Sequence, residues 1–295
     1  MSEFRSGFVA ILGRPNVGKS SIMNYFIGEK VAIVSNHPQT TRSKLLGVAT
    51  REDWQIVFVD TPGLHKPRTK LGQYMMKTVE EAKEGVDAVL AVVDAQFIGD
   101  GDRAILADLA KMNCPKFLAV NKIDVANPEK LMPQLAKLND CGFDEIVTVS
   151  AKRGDNMDTL LKLISDAMPA GPKYFPDDMM TDQPERILCA EIIREKALLN
   201  LRDEVPHGIG VDMLKIEKVR EGFYEIHADV YCDRASHKSI IIGKQGAMLR
   251  KIGTEARQDI ERMMGAKVML QLWVKVREGW RDRASDLRTL GYTDE

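Results

Sequence analysis

The chain has 295 residues, 44% hydrophobic and 29% charged, with a formal net charge of −1. That composition suits one large or two medium globular domains and excludes a disordered or collagen-like chain. A neutral total says nothing for or against nucleic acid, so any basic footprint must be local. Cys114, Cys141, Cys189 and Cys232 are scattered, with no CxxC pair, Cys/His cluster or disulfide framework, which fits a reducing cytosol. No signal peptide is expected, because no basic region followed by a long apolar one opens the chain. No apolar run is long enough to cross a bilayer.

Short runs rich in Val, Ile and Phe at 8–12, 54–59, 88–93, 116–120 and 145–149 read as buried strands. Segments with helical spacing lie between them, among them 19–28 and 102–112. The alternation predicts an α/β domain over 1–168, with a mostly parallel sheet covered by helices on both faces. The stretch 44–53 is a candidate hairpin partner, giving one antiparallel edge. Pro169, Gly171, Pro172, Pro176 and Pro184 then forbid a regular helix, so 169–184 reads as a linker. After it the order changes. A helix over about 185–202, strands over 208–219 and 223–232, two helices flanking Gly243–Gly246 and a strand over 267–276 predict a smaller α+β domain at 185–280. The tail 281–295 follows, and the segment 280–292 could form an amphipathic surface helix in weak peripheral contact with the inner face of the membrane.

Residues 13–20 read GRPNVGKS, a match to GxxxxGK-S/T lying directly after a strand and before a helix, the context this motif requires. Such a loop turns its backbone N–H groups toward phosphate oxygens, and the start of the following helix adds partial positive charge. Gly13, Arg14, Pro15, Asn16, Val17, Gly18, Lys19, Ser20 and Ser21 therefore form a candidate phosphate site. Lys19 is expected to reach the β- and γ-phosphates, and the Ser20 hydroxyl to ligate Mg2+.

DTPG (60–63) ends the strand 54–59. Asp60 is expected to hold Mg2+ through water, and the Gly63 amide to sense the γ-phosphate. NKID (121–124) ends the strand 116–120. A carboxylate accepts both parallel donors of guanine, N1–H and N2–H2, which adenine lacks, so Asp124 is the candidate base reader. Asn121 would brace the loops, and the stem of Lys122 would cover the base. Ser150, Ala151 and Lys152 end the strand 145–149, with the Ala151 amide expected to face guanine O6. Each motif is weak alone. Together, at the carboxyl ends of successive strands, they predict a GTP site at the edge where open α/β sheets bind ligands.

Over residues 5–168 these motifs resemble the translation-factor-related GTPases. That resemblance implies a threonine between phosphate loop and DxxG that closes on Mg2+, with Thr41 the candidate and Thr40 the second. It makes Lys19, Thr41 and Gly63 the expected catalytic groups. Where Ras-like proteins carry a water-orienting glutamine stands Leu64, so a slow basal rate is expected; His65 reads as a solvent-facing loop residue. Asn16 resembles the asparagine of GTPases that use K+ as a second neutralising ion.

In the second domain IIIGKQG (240–246) carries a GxxG between helices, the loop with which KH modules clamp a nucleic-acid backbone. From Arg234 to Thr254 there are five basic residues and no acid. Lys238, Ile240, Ile242, Gly243, Lys244, Gln245, Gly246, Arg250 and Lys251 form the candidate RNA site, with Ile240, Ile242 and Ile252 as an apolar wall under bases. The element order matches a type II KH domain. Segments 173–201 and 272–280, with GKQG, resemble the Era family of ribosome-assembly GTPases, so the likeness covers nearly the whole chain. It implies binding of the 3′ end of small-subunit ribosomal RNA, when GTP is present, during small-subunit assembly; a cytoplasmic monomer that hydrolyses GTP to GDP is expected. Two other readings compete: a signalling or membrane-associated GTPase using the KH-like domain for protein contacts, and an RNA-binding module that has lost hydrolysis. The basic GxxG stretch argues against the first. The intact Lys19, Ser20 and Asp60 argue against the second.

Overall fold

The computed structural model describes residues 3–35, 37, 40–64, 67 and 69–292. They form two compact units. The first comprises Met1–Val34, Thr41–Lys66 and Met75–Asp182; the second comprises Ser35–Thr40, Pro67–Tyr74 and Gln183–Glu295.

The first unit is an α/β fold in the order β1 (Arg5–Gly13), α1 (Lys19–Ile27), β2 (Leu45–Thr50), β3 (Trp54–Asp60), α2 (Lys70–Glu81), β4 (Ala88–Asp94), α3 (Asp100–Leu109), β5 (Lys116–Asn121), α4 (Pro128–Ala136), β6 (Glu145–Val149) and α5 (Met157–Ala167). The sheet order is β2-β3-β1-β4-β5-β6. All pairs are parallel except β2 with β3, the antiparallel edge expected from 44–53. Alternate residues of β1 feed different cores: Val9 and Ile11 pack into one apolar cluster, Ala10 and Leu12 into the other. A strand buried on both faces has no use for polar positions, which is why these runs are continuously apolar. The parallel connections bring the ends of β1, β3, β5 and β6 to one edge. The sequence does not single out α2, α4 or α5. In α4 the helical pattern is interrupted by Pro133.

The proline-rich segment is not a free spacer. It carries no helix, as expected, but it is fastened to the sheet of the first unit. Ser6 N–H donates to the Pro169 carbonyl at 3.0 Å and Val48 N–H to that of Met180 at 2.8 Å. Gln55 is fully buried. Its Oε1 accepts the amides of Tyr174 (2.7 Å) and Phe175 (3.0 Å), while its Nε2 donates to the Phe175 carbonyl at 2.9 Å. One side-chain amide thus replaces a short piece of strand ladder.

The second unit builds its own core from α6 (Glu185–Asn200), β7 (Gly210–Arg220), β8 (Phe223–Cys232), α7 (Ala235–Ile242), α8 (Ala247–Met264) and β9 (Lys267–Val276). Its sheet runs β7-β8-β9, with β7 and β8 antiparallel and β8 and β9 parallel. That is the element order of a KH domain. The tail differs from expectation. Trp280, Leu287 and Tyr292 are buried, and the Trp280 indole donates to the Gly208 carbonyl at 2.9 Å. Arg277 pairs with Asp286 at 2.6 Å, on the short helix α9 (Ala284–Thr289). The apolar side chains that suggested membrane contact are spent on packing inside the unit, which removes the basis of that reading. No helix among the described residues is long and apolar enough to cross a membrane.

Replacing Gln55 by Leu should leave the Tyr174 and Phe175 amides without their acceptor and lower the stability of the first unit by about 1–3 kcal/mol. Denaturant unfolding measures this; an unchanged midpoint would mean that the strap contributes nothing.

Candidate functional site

The phosphate loop leaves β1 at Gly13 and enters α1 at Lys19, so its amides gather at the positive end of a helix. Gly18 caps that helix with φ 101°, and a Cβ there would lie 2.2 Å from Asn121 Nδ2. Only glycine fits such a position. The Lys19 ammonium is buried and donates to the carbonyls of Gly13 (3.2 Å) and Arg14 (3.1 Å). Burial pushes its pKa down to about 8, against the pull of Asp60. Asp60 is raised by the same burial, opposed by Lys19, Ser20, Thr41 and the Thr61 amide. Arg14 turns its side chain away to Asp102 on α3, at 2.9 Å. Pro15 and Ser21 are half-buried, and Val17 joins the core.

The three residues expected to hold Mg2+ are brought together. Ser20 Oγ donates to Asp60 Oδ2 at 2.6 Å and lies 3.0 Å from Thr41 Oγ1, which is 3.3 Å from the same carboxylate oxygen. Three hard oxygen donors at that spacing fit Mg2+. Thr40, the second candidate, is not part of this group; its hydroxyl donates to the His37 carbonyl at 2.7 Å. Gly63 lies against the phosphate loop: a Cβ there would meet the Pro15 backbone N at 2.4 Å. Leu64 donates its N–H to the Gly13 carbonyl at 3.0 Å, and its side chain packs on the apolar core. His65 lies outside the described residues, as do Pro38 and Gln39 in the segment before Thr41.

The base-reading loops are tied to the phosphate loop by Asn121. Its Nδ2 donates to the Val17 carbonyl at 2.9 Å, and its Oδ1 accepts the Ala151 amide at 3.0 Å. That amide was expected to face guanine O6; in this structure it bears on the bracing side chain. Lys122 adds a brace that the sequence did not reveal. Its ammonium donates to the Asn16 carbonyl at 2.6 Å and to Asp94 at 2.7 Å. Asp94 ends β4 and was not among the expected residues; its position at the same strand edge was the available signal. Asn16 and Lys122 both hold positive φ, 64° and 70°. Ser150 Oγ donates to Asp124 Oδ1 at 2.8 Å and fixes the carboxylate, while Lys152 is exposed.

In the second unit Gly243 (φ 72°) turns α7 into the loop, and a Cβ there would meet Met248 Cβ at 2.7 Å. Lys244, Gln245, Arg250 and Lys251 are exposed, Gly246 and Lys238 half-buried. Ile240 is 50% exposed, and Ile242 packs partly on the core. Ile252 is only 1% exposed and belongs to the core, so it cannot wall a groove. The groove lies one helical face over. Gly246, Leu249, Arg250, Gly253 and Arg257 of α8 and its cap, with Leu270 and Leu272 of β9, line a cavity of about 330 Å³. Their i, i+3, i+4 spacing from Gly246 was the missed signal.

The chain matches the family described as 50S ribosome-binding GTPase over residues 8–122 and the KH domain family over 204–281. It is 52% identical to the GTPase Era of Alkaliphilus metalliredigens over 294 residues, covering 98% of this chain and 99% of that one. It is 51% identical to the GTPase Era of Clostridioides difficile over 296 residues, covering 99% and 100%. A crystal structure of Era with MgGDPNP and nucleotides 1506–1542 of 16S ribosomal RNA superposes with a TM-score of 0.93 at 38% identity, over 99% of this chain and 100% of that one. An Aquifex aeolicus Era variant bound to GDP·AlF4− gives the same TM-score, identity and coverage.

With a pKa of about 8, Lys19 in the free protein is partly neutral in mild alkali. An adjacent polyphosphate favours the charged form and raises that pKa. Nucleotide binding at about pH 8.5 should therefore take up a fraction of a proton, and near pH 6.5 should take up none at this residue. Calorimetry in two buffers of different ionisation enthalpy reads the difference, and equal uptake at both pH values would contradict it.

Proposed function

The chain belongs to the Era family of GTPases, and on that premise we propose that its nucleotide state governs binding of the 3′ end of small-subunit ribosomal RNA during assembly of the small ribosomal subunit. It acts as a cytoplasmic monomer. One observation carries the reading: an exposed glycine loop in a basic, acid-free stretch shares a chain with a complete phosphate-binding loop. The solved Era complex, which holds a GTP analogue and a 16S fragment in one molecule, supports it.

The enzyme is a GTP hydrolase. Water forms a bond to the γ-phosphorus as the bond to the β,γ-bridging oxygen breaks, releasing GDP and phosphate. Such a transition state needs positioning and charge neutralisation more than covalent chemistry. Lys19 and the amides of the phosphate loop supply positive potential, and the Gly63 amide completes the cradle. Mg2+ held by Ser20, Thr41 and, through water, Asp60 would neutralise charge on the phosphate oxygens. Asp124, steadied by Ser150, selects guanine, and the Lys122 stem covers the base while its ammonium braces the loop. Leu64 offers no polar atom to orient water and is packed on the core. The basal rate should then be at or below roughly 10⁻⁴ to 10⁻³ per second, the intrinsic range of Ras. Asn16, in the middle of the phosphate loop, offers a hard amide oxygen suited to K+. Turnover should therefore be faster in potassium than in sodium buffer, and equal rates would remove the ion from the mechanism.

On RNA, the exposed Lys244, Arg250 and Lys251 pair with phosphates, while Gly243 and Gly246 let the backbone approach. Ile240, Ile242, Lys238 and Gln245 complete the surface beside the α8–β9 groove. The affinity for a 16S 3′-end oligonucleotide, measured at fixed salt, should be higher with a GTP analogue than with GDP. Equal affinities would leave two independent binding activities and no switch.

A further inference from the structure

Gly253 stands inside α8 (Ala247–Met264), more than a turn from either end. Glycine is the poorest helix former after proline, so such a position calls for a reason. Conformation does not supply one: Gly243 and Gly246 hold positive φ, 72° and 77°, whereas Gly253 lies in regular helix. Packing does not supply one either. The nearest atom that packing would set against a Cβ at Gly253 is Leu272 Cδ1 at 3.5 Å, an ordinary van der Waals contact. At Gly208, by contrast, a Cβ would meet Asp233 Oδ2 at 2.7 Å, and the close approach requires glycine. An alanine at 253 would fit and would strengthen the helix.

What the missing side chain opens is the groove. Gly253 lies beside the buried stripe Ile252, Ala256 and Ile260, on the face of α8 that carries Leu249, Arg250 and Arg257. That face and the half-buried Leu270 and Leu272 of β9 line the cavity of about 330 Å³. At Gly253 the wall is bare helix backbone, with apolar side chains on the facing strand. Arg250 and Arg257 stand one turn before it and one turn after it, about 10 Å apart along the helix. The Arg257 guanidinium is oriented by Glu261 at 3.2 Å. Among the described residues that line the cavity, none is acidic. A flat apolar seat between two cations suits a planar ring carried on a phosphodiester chain. A phosphate alone would have no use for the apolar floor.

We infer that Gly253 is the seat of one unstacked base of the bound RNA: the ring lies flat on the bare backbone of α8 beside Leu270 and Leu272, while Arg250 and Arg257 pair with the phosphates on either side. This rests on the proposed binding of single-stranded RNA by the second unit. Every base has an apolar face, so the seat adds affinity whatever the base, and splayed single strands are what can fill it. A methyl group standing between ring and backbone lifts the ring off the wall. A gap of only about 0.5–1 Å already forfeits a quarter to a half of such contacts. The glycine therefore trades helix stability for RNA affinity.

The test uses the full chain with Gly253→Ala and Gly253→Leu. The probes are a 16S 3′-end oligonucleotide and a series of it in which one base at a time is removed and the sugar–phosphate chain is kept. Affinities are titrated at fixed salt with a GTP analogue bound, and stability is read by denaturant unfolding. Gly253→Ala should unfold at higher denaturant than the unaltered chain and bind the intact RNA about five- to ten-fold more weakly, the size of one weakened base contact. Gly253→Leu, which fills the seat, should lose more, and nucleotide affinity should not change in either. Removing the seated base should weaken binding to the unaltered chain but not to the alanine variant, so that the two losses do not add. A raised unfolding midpoint with RNA affinity unchanged would make the glycine incidental and overturn the inference. A lowered midpoint for Gly253→Ala would assign the glycine to packing and overturn it as well, as would losses that add at every base position. An unaltered chain that fails to hold the oligonucleotide would overturn the proposed RNA binding, and this inference with it.

Discussion

A buried ammonium beside a buried carboxylate, neither freely solvated, is the condition on which the first unit depends. Lys19 and Asp60 are both removed from water, and each has its charged form disfavoured by that burial. Folding therefore stores electrostatic cost at one point of the sheet edge, where a polyphosphate with its divalent ion can relieve it. The surrounding architecture keeps the two charges there. Parallel strands buried on both faces leave no freedom to their carboxyl ends. Asn121 and Lys122 then tie the loops from β1, β4, β5 and β6 into one rim through side-chain bonds to the Val17 and Asn16 carbonyls, the Ala151 amide and Asp94.

The sequence was legible where one physical requirement dictates one residue type. Continuous Val/Ile runs gave β3, β4, β5 and β6 to within a residue and the centre of the longer β1, because strands covered on both faces tolerate little else. The phosphate loop was legible because a curled backbone needs Gly18 and a phosphate needs Lys19. The α6-to-β9 order of the second unit followed from its glycine pair and its β-branched runs. What stayed hidden were interactions between residues far apart in the chain. Gln55 looks like an ordinary strand glutamine until the segment 119 residues later lies against it. Asp94 and Lys122 are unremarkable charges until their strands are neighbours. Ile252 and Arg250 are two positions apart on one helix, and only packing decides that the first is core and the second lines a groove. The tail differs for the same reason: the amphipathic pattern of 280–292 carries no mark of whether its apolar side chains meet lipid or, like Trp280, Leu287 and Tyr292, are buried.

Leu64 shows how a departure from a motif can be informative. Its side chain joins the apolar cluster beneath the sheet edge, so the position contributes stability where a glutamine would contribute chemistry. No polar atom of that side chain is offered to a water, which is the ground for the slow turnover proposed above.

A nucleotide can shift a distant equilibrium only by the difference between its contacts in the two states. GTP and GDP differ by one phosphoryl group, so the usable difference is confined to the groups expected to sense it: Thr41, Gly63 and the ion they help hold. Couplings of that origin are typically about 1–3 kcal/mol. That is enough to change an RNA affinity by roughly one or two orders of magnitude, and too little to be diluted through a flexible connection. Thr41 stands within 3.3 Å of Ser20 and Asp60, and Gly63 lies against the Pro15 backbone, so the groups expected to register that one phosphoryl group are already gathered on the rim. With so small a difference to exploit, a rim assembled in advance loses less of it to ordering than loops that must first be collected.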